Sequence, residues 1–288
     1  MPMRKTIVAL YVLLTISLWI FGQTEEQDAL AKKYDAGLQK IIELQKKIID
    51  LHPFLKKLYP VAVVEGDDFL IFDIDPKTKR YIFIKAAQPA MIMPEGIRAA
   101  FPLDFYDNKM ACVVSGEVFA DLSGYATIFH EFIHCAQMEC CEQKLKSKLK
   151  VAQEAQAKND FMWELNHPFP YEDSVFTDVY TIFLEAASKK DLEGISRCRT
   201  YLKDMLNAPD YEYMVWQEWK EGFARLIENK IRKKFDLEEN HGGIDQPFSR
   251  VTFYEGGSLY IEALFGKDKT LKDDVEELFD LMLRGLQP

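Results

Sequence analysis

The stretch VAVVEGDDFLIFDIDPKTKRYIFIK, residues 61–85, decides how the rest of the chain is read. It holds three short runs, VAVV (61–64), FLIFDI (69–74) and RYIFIK (80–85), rich in β-branched and aromatic residues. Such residues fit a pleated, half-buried surface, and the intervening EGDD and DPKTK are turn formers. All three runs are expected to be strands. A further extended segment, MACVVSGEV at 110–118, ends the β-rich stretch. Upstream, from Glu25 to about Leu58, Leu30, Tyr34, Leu38, Ile41, Ile48 and Leu55 recur at helical intervals among Lys, Glu and Gln. That spacing predicts an amphipathic helix, which Pro53 kinks or ends. Downstream of Ser123 the period is helical, with helices expected over about 124–158, 173–189, 191–207, 211–235 and 271–284. Strands followed by helices imply an α+β fold, not an alternating α/β one.

Composition narrows the class. Of 288 residues, 48% are hydrophobic and 28% charged, a globular balance that excludes a disordered or fibrous chain. Acidic residues outnumber basic ones by 46 to 36, for a net charge of −10. With no basic surplus to neutralise phosphates, a nucleic-acid partner is not expected. At the N-terminus, MPMRKTIVALYVLLTISLWIF (1–21) sets two basic residues ahead of an uncharged apolar run. The run is short for a spanning helix, which needs ~20 residues, and suits a signal peptide cleaved near the small Gly22. The expected organisation is a signal peptide at 1–22, an N-terminal helix at 23–60 and one domain at 61–288. That domain is β-rich over 61–122 and helical over 123–288. The body is then secreted or periplasmic, or membrane-anchored if the segment is retained. No later stretch is apolar for long enough to span a bilayer. The five cysteines (Cys112, Cys135, Cys140, Cys141 and Cys198) form no CxxC, so neither a zinc ribbon nor a redox motif is suggested. Cys140 and Cys141 are ill placed to bond each other, although either can reach Cys198 from another helix.

The chemistry lies at 127–137, TIFHEFIHCAQ. His130 and His134, four residues apart on a helix, stack on one face and can bind one tetrahedral zinc at about 2.0–2.1 Å. Glu131 sits beside them, where a carboxylate can serve as general base. A catalytic site of this kind needs a third protein ligand from a separate element, leaving a fourth position open. Candidates downstream are Glu154, Glu164, His167, Glu185, Glu218 and Glu221. The segment WQEWKEGFARLIENKI (216–231) stands out, because Trp219, Phe223, Leu226, Ile227 and Ile231 make a helical apolar stripe.

HEFIH followed by WKEGFARLIE (219–228) resembles the gluzincin metallopeptidases, especially the aminopeptidase-N-like and glycyl-aminopeptidase branches. The resemblance implies Glu221 as the third zinc ligand. It also sets FYEGGSLYIEALF (253–265) against the family's Y-x-K-G helix, which implies Tyr254 as the donor that stabilises the oxyanion. Gly256 stands where that motif has Lys, and no G-x-M-E-N motif is present to anchor a free amine. Exopeptidase specificity is therefore not implied. The long separation of His134 from Glu221 implies a helical insertion at about 143–210. Independently, Gly222 costs a mid-helix position about 1 kcal/mol, which close approach of a neighbouring element explains.

The implied architecture is two-lobed, with a small N-terminal β-rich lobe, a larger helical lobe and one zinc ion in the cleft between. The implied function is an exported zinc peptidase acting on peptide or protein substrates, with Glu131 as general base. Strand 110–118 would pair with an extended substrate. Some alternatives stay open. His241, in NHGG, is the rival oxyanion donor, and His167 reads as a surface-loop residue. Glu228 is either a carboxylate holding a ligand or an exposed helix charge paired with Arg225 or Arg232. KLKSKLK (144–150) reads as an amphipathic surface helix. The competing function is a non-catalytic exported protein of the cell envelope that binds zinc or peptide. Against it stands Glu131, a carboxylate for which a purely structural metal site has no use.

Overall fold

The computed structural model describes residues 29–30, 32–89 and 92–286; the expected signal peptide at 1–22 lies outside them. Helix α1, residues 32–48, buries Tyr34, Leu38, Ile41, Leu44 and Ile48 in the main core. It stops well short of 58. Ahead of Pro53, His52 is extended at φ −159° and ψ 145°, as steric crowding by a following proline favours. Its imidazole then accepts from Phe54 N at 3.1 Å and caps a single tight turn, Pro53–Lys56.

Five strands follow: β1 Val61–Glu65, β2 Asp68–Ile74, β3 Tyr81–Ala87, β4 Arg98–Leu103 and β5 Lys109–Ser115. They form one mixed sheet of order β3-β2-β1-β5-β4, in which only the β1–β5 pairing is parallel. Alternation sorts the side chains. Val61, Val63, Leu70, Phe72, Cys112 and Val114 face the main core, while Ala62, Phe69, Ile71, Leu103, Ala111 and Val113 form a smaller core on the opposite face. The sequence pattern did not announce β4, because RAAFPL lacks alternation and carries Pro102, which is tolerated on an edge strand. Its presence corrects the expectation that strand 110–118 offers an open edge to substrate. β5 is paired on both sides, and the open edges belong to β3 and β4.

Helix α2, Leu122–Gln137, packs across β4 and β5 with its N-terminus capped by Asp121, which accepts from Gly124 N at 2.9 Å. The single helix expected over 124–158 is broken. A wide turn at Met138–Glu142 leads into α3 Gln143–Lys146, and the chain is extended at Leu149 before α4 Lys150–Ala157. Ser147 helps to end α3, because its hydroxyl bonds the Lys144 carbonyl at 2.7 Å. Leu145 and Leu149 are buried while Lys144, Lys148 and Lys150 are exposed, so KLKSKLK is amphipathic at the surface as expected, but it is a helix end and an extended link, not one helix. The remaining helices are α5 Trp163–Asn166, α6 Ser174–Ser188, α7 Leu192–Met205, α8 Ala208–Lys234, α9 Thr252–Lys267 and α10 Val275–Arg284.

The fold is α+β. Its spine is α8, which packs against α2, α4, α9 and α10. Gly222 on α8 meets Gly257 on α9, and a β-carbon on Gly222 would lie 2.6 Å from the Gly257 Cα. The glycine thus serves close helix–helix approach. All five cysteines are free thiols. Among the described residues, no helix is long and apolar enough to cross a membrane.

Candidate metal centre

Helix α2 is buried along most of its length, and the face it turns to α8 carries His130 and His134. Helical spacing brings the two Nε2 atoms to 3.0 Å from each other. Their outer nitrogens are already engaged. His130 Nδ1 lies 3.0 Å from Glu228 Oε2, and His134 Nδ1 lies 3.0 Å from Gln137 Oε1. A carboxylate only accepts, so His130 donates from Nδ1. The Gln137 amide nitrogen donates to the Lys220 carbonyl at 3.2 Å, which leaves its oxygen to accept from His134. In the neutral rings both Nε2 atoms are therefore bare lone pairs, facing each other in a buried site.

The third atom comes from α8. Glu221 Oε2 lies 3.7 Å from His130 Nε2 and 3.3 Å from His134 Nε2. Three acceptors converging on one point call for positive charge between them, either an added proton or a metal ion. The edges of 3.0, 3.3 and 3.7 Å bracket the about 3.3 Å edge of a tetrahedron with ~2.05 Å arms. His130, His134 and Glu221 thus form a group able to hold a metal ion. Without a metal, a proton on an imidazole answers that demand. Burial disfavours a charged His130, yet Glu221 and Glu228 outweigh it and lift the imidazole to about 10. For Glu221 burial is again opposed and outweighed, here by His134 and His130, which hold the carboxyl well below the usual range.

The rival ligands are committed to other partners. Glu154 is part-exposed and Glu185 exposed, and they pair with Lys150 and Lys189 at 3.7 and 3.6 Å. His167 bonds Asp210 at 2.7 Å. Glu164 bonds Lys220 at 2.8 Å and Lys146 at 2.5 Å. Glu218 is fully buried against Arg199.

The cluster opens into a cleft of about 560 Å³, walled by Arg98–Phe101 of β4 on one side and by the segment 161–165 on another. Glu131 lines it, and burial raises its carboxyl pKa, partly offset by His134 and His130. Tyr254, on the first turn of α9, also lines the cleft. Burial pushes its phenol up, with the Glu221 carboxylate adding, so it stays protonated. His241 is half-exposed and bonds Glu255 at 2.8 Å, away from the cleft lining. At position 256 a β-carbon would lie 2.1 Å from the Tyr180 hydroxyl, so the lysine of the family motif has no room there.

Three residues went unread in the sequence. Gln137 had a signal, since it lies three residues beyond His134 on the same helical face. Arg98 and Arg250 had none, because the first depends on the unannounced β4 and the second on a loop that returns to the cleft. In comparisons with known proteins, no family model, no curated protein and no solved structure matches this chain.

Proposed function

We propose that this protein is an exported zinc-dependent peptidase of the gluzincin type, with two lobes flanking the cleft. One observation carries the reading. Three acceptor atoms, two on buried histidines of α2 and one on Glu221 of α8, converge beside a cleft, with the Glu131 carboxylate next to them. His130, His134 and Glu221 would hold the ion, and a donor set of two imidazoles and one carboxylate is a catalytic zinc set. A zinc ion bound there supplies a Lewis acid that makes water acidic enough to attack near neutral pH.

The chain's own residues do the rest. Glu228 and Gln137 fix the imidazole tautomers and so keep both Nε2 atoms available. The open edge of β4 offers main-chain groups to an extended peptide and lays it along the cleft. Glu131 takes the proton of the attacking water at its carboxylate, and its burial-raised pKa makes it a stronger base. It then returns that proton to the leaving amine. The Tyr254 hydroxyl donates to the oxyanion, a contribution of about 3 kcal/mol.

The test is cleavage of an unfolded polypeptide by zinc-loaded protein, with and without chelator. Chelator-sensitive cleavage is expected, reduced at least ~100-fold by Glu131→Gln with zinc retained. Absence of cleavage by fully loaded wild type would favour the non-catalytic envelope protein.

A further inference from the structure

Among the described residues the cleft is lined by one lysine and two arginines, and two of these three are neutralised locally. Lys220 meets Glu142 at 3.1 Å and Glu164 at 2.8 Å. Arg98 meets Glu117 at 3.2 Å. Arg250 differs. Among the described residues its nearest carboxylate is Glu221, at 3.8 Å, and that group belongs to the metal set. Its close hydrogen bond goes to the Tyr254 hydroxyl, a neutral acceptor. The guanidinium carbon lies 5.2 Å from the Tyr254 ring centroid, so the head is held in place, yet the side chain remains 29% exposed at the cleft.

The charges of the cleft do not cancel. A divalent ion held by the cluster would be balanced by Glu131 and Glu221, and Glu164 answers Lys220. Arg250 would then be left without a carboxylate of its own among the described residues, in the cleft of a chain whose net charge is −10. A planar guanidinium fork matches a carboxylate through two parallel N–H donors, and an amide carbonyl uses only one of them. We propose that Arg250 is the recognition point for a carboxylate of the substrate, held next to the metal cluster. The proposal rests on the peptidase reading and narrows it to substrates with a negative charge beside the scissile bond. That carboxylate has two sources, the C-terminus of a short peptide or an Asp or Glu side chain, and the same fork serves both.

Calorimetry on the full, zinc-loaded chain tests this, in the Glu131→Gln background so that peptides survive the measurement. One arm compares peptides with a free and an amidated C-terminus; the other compares Glu with Gln at each interior position. One of the two carboxylate forms should bind about tenfold more tightly than its neutral twin, the scale of a charge-assisted hydrogen bond. The ratio should fall to about one in Arg250→Met and be partly retained in Arg250→Lys, which keeps the charge without the fork. Zinc content and circular dichroism certify each variant. Should Arg250→Met fail to fold, Arg250→Gln and Arg250→Lys give the same readout. No carboxylate preference in either arm, or a preference that survives loss of Arg250, overturns the proposal. Carboxylate-selective binding without cleavage by wild type would remove the peptidase reading and leave the recognition site. Equal cleavage of charged and neutral peptides would do the reverse.

Discussion

Helix α8 carries Glu218 in the core and Glu221 at the cleft, one turn apart, and the two live in opposite electrostatic worlds. Glu218 faces α6 and α7. It is fully buried, accepts from the Tyr180 hydroxyl at 2.9 Å and pairs with an Arg199 that is itself only 1% exposed. Glu221 faces α2 and meets two imidazoles whose protons are already committed to Glu228 and Gln137. The Glu218 carboxylate is balanced by a charge that the chain supplies. The Glu221 carboxylate meets the lone pairs of two neutral imidazoles and is balanced only when a ring takes up a proton or a metal ion enters. Burial of a carboxylate therefore says little about function; what its partner presents, a proton or a lone pair, says most.

The strongest way to break this comparison is to delete Glu218. Glu218→Ala strands Arg199 in the core and should cost about 3–5 kcal/mol of unfolding free energy. Bound metal should stay at the wild-type level, and urea melts with metal analysis check both. A metal loss equal to that of a Glu221 variant would merge the two sites. Next in size, Glu221→Ala should lower metal affinity at least ~100-fold, more than the loss of an outer-shell partner costs. The metal-free protein should melt near wild type. Glu185→Ala is the control and should bind zinc normally, since Glu185 is exposed and paired with Lys189.

Gly222→Ala tests what both sites share. The new methyl would press on α9 and should cost about 1–3 kcal/mol, the usual scale of overpacking. Because the contact is with Gly257, whose own β-carbon would lie 2.1 Å from the Glu218 carbonyl, metal affinity and stability should fall together. Stability unchanged within about 0.5 kcal/mol would show that the two helices part freely there.

Glu164 sharpens the comparison with the smallest effect. It lines the cleft like Glu221 but is paired like Glu218. Burial opposes its charge, yet Lys220 and Lys146 outweigh it and hold the carboxyl at about 2. The folded value lies below the unfolded one of ~4.3, so the stabilisation is present above that pH and lost as pH falls toward 2. Glu164→Gln should cost about 1–2 kcal/mol at pH 7 in metal-free protein, with the gap closing in acid. A gap independent of pH would mean that the pairing contributes nothing.

Local signals in the sequence were strong where one element suffices. The i, i+4 histidines on α2, the adjacent Glu131 and the period-two runs of β1–β3 each depend on neighbours within a few residues, so spacing alone specified them. Gly222 was legible as a point of close approach, because an unfavourable mid-helix residue needs a packing reason. The end of helix α1 ahead of Pro53 was legible too, since His52 before the proline goes extended. Three features could not be read. β4 has neither alternation nor branched residues to reveal it, and it exists through its pairing with β5. Whether Glu218 or Glu221 meets Arg199 or the histidines depends on which helices flank α8. Arg250 reaches the cleft through a loop. Helical and strand periods are short-range properties of the chain, whereas the partner of a buried charge is set by packing between segments far apart in the chain. The sequence alone determined which residues could hold a metal; only the tertiary structure decided which of them meet.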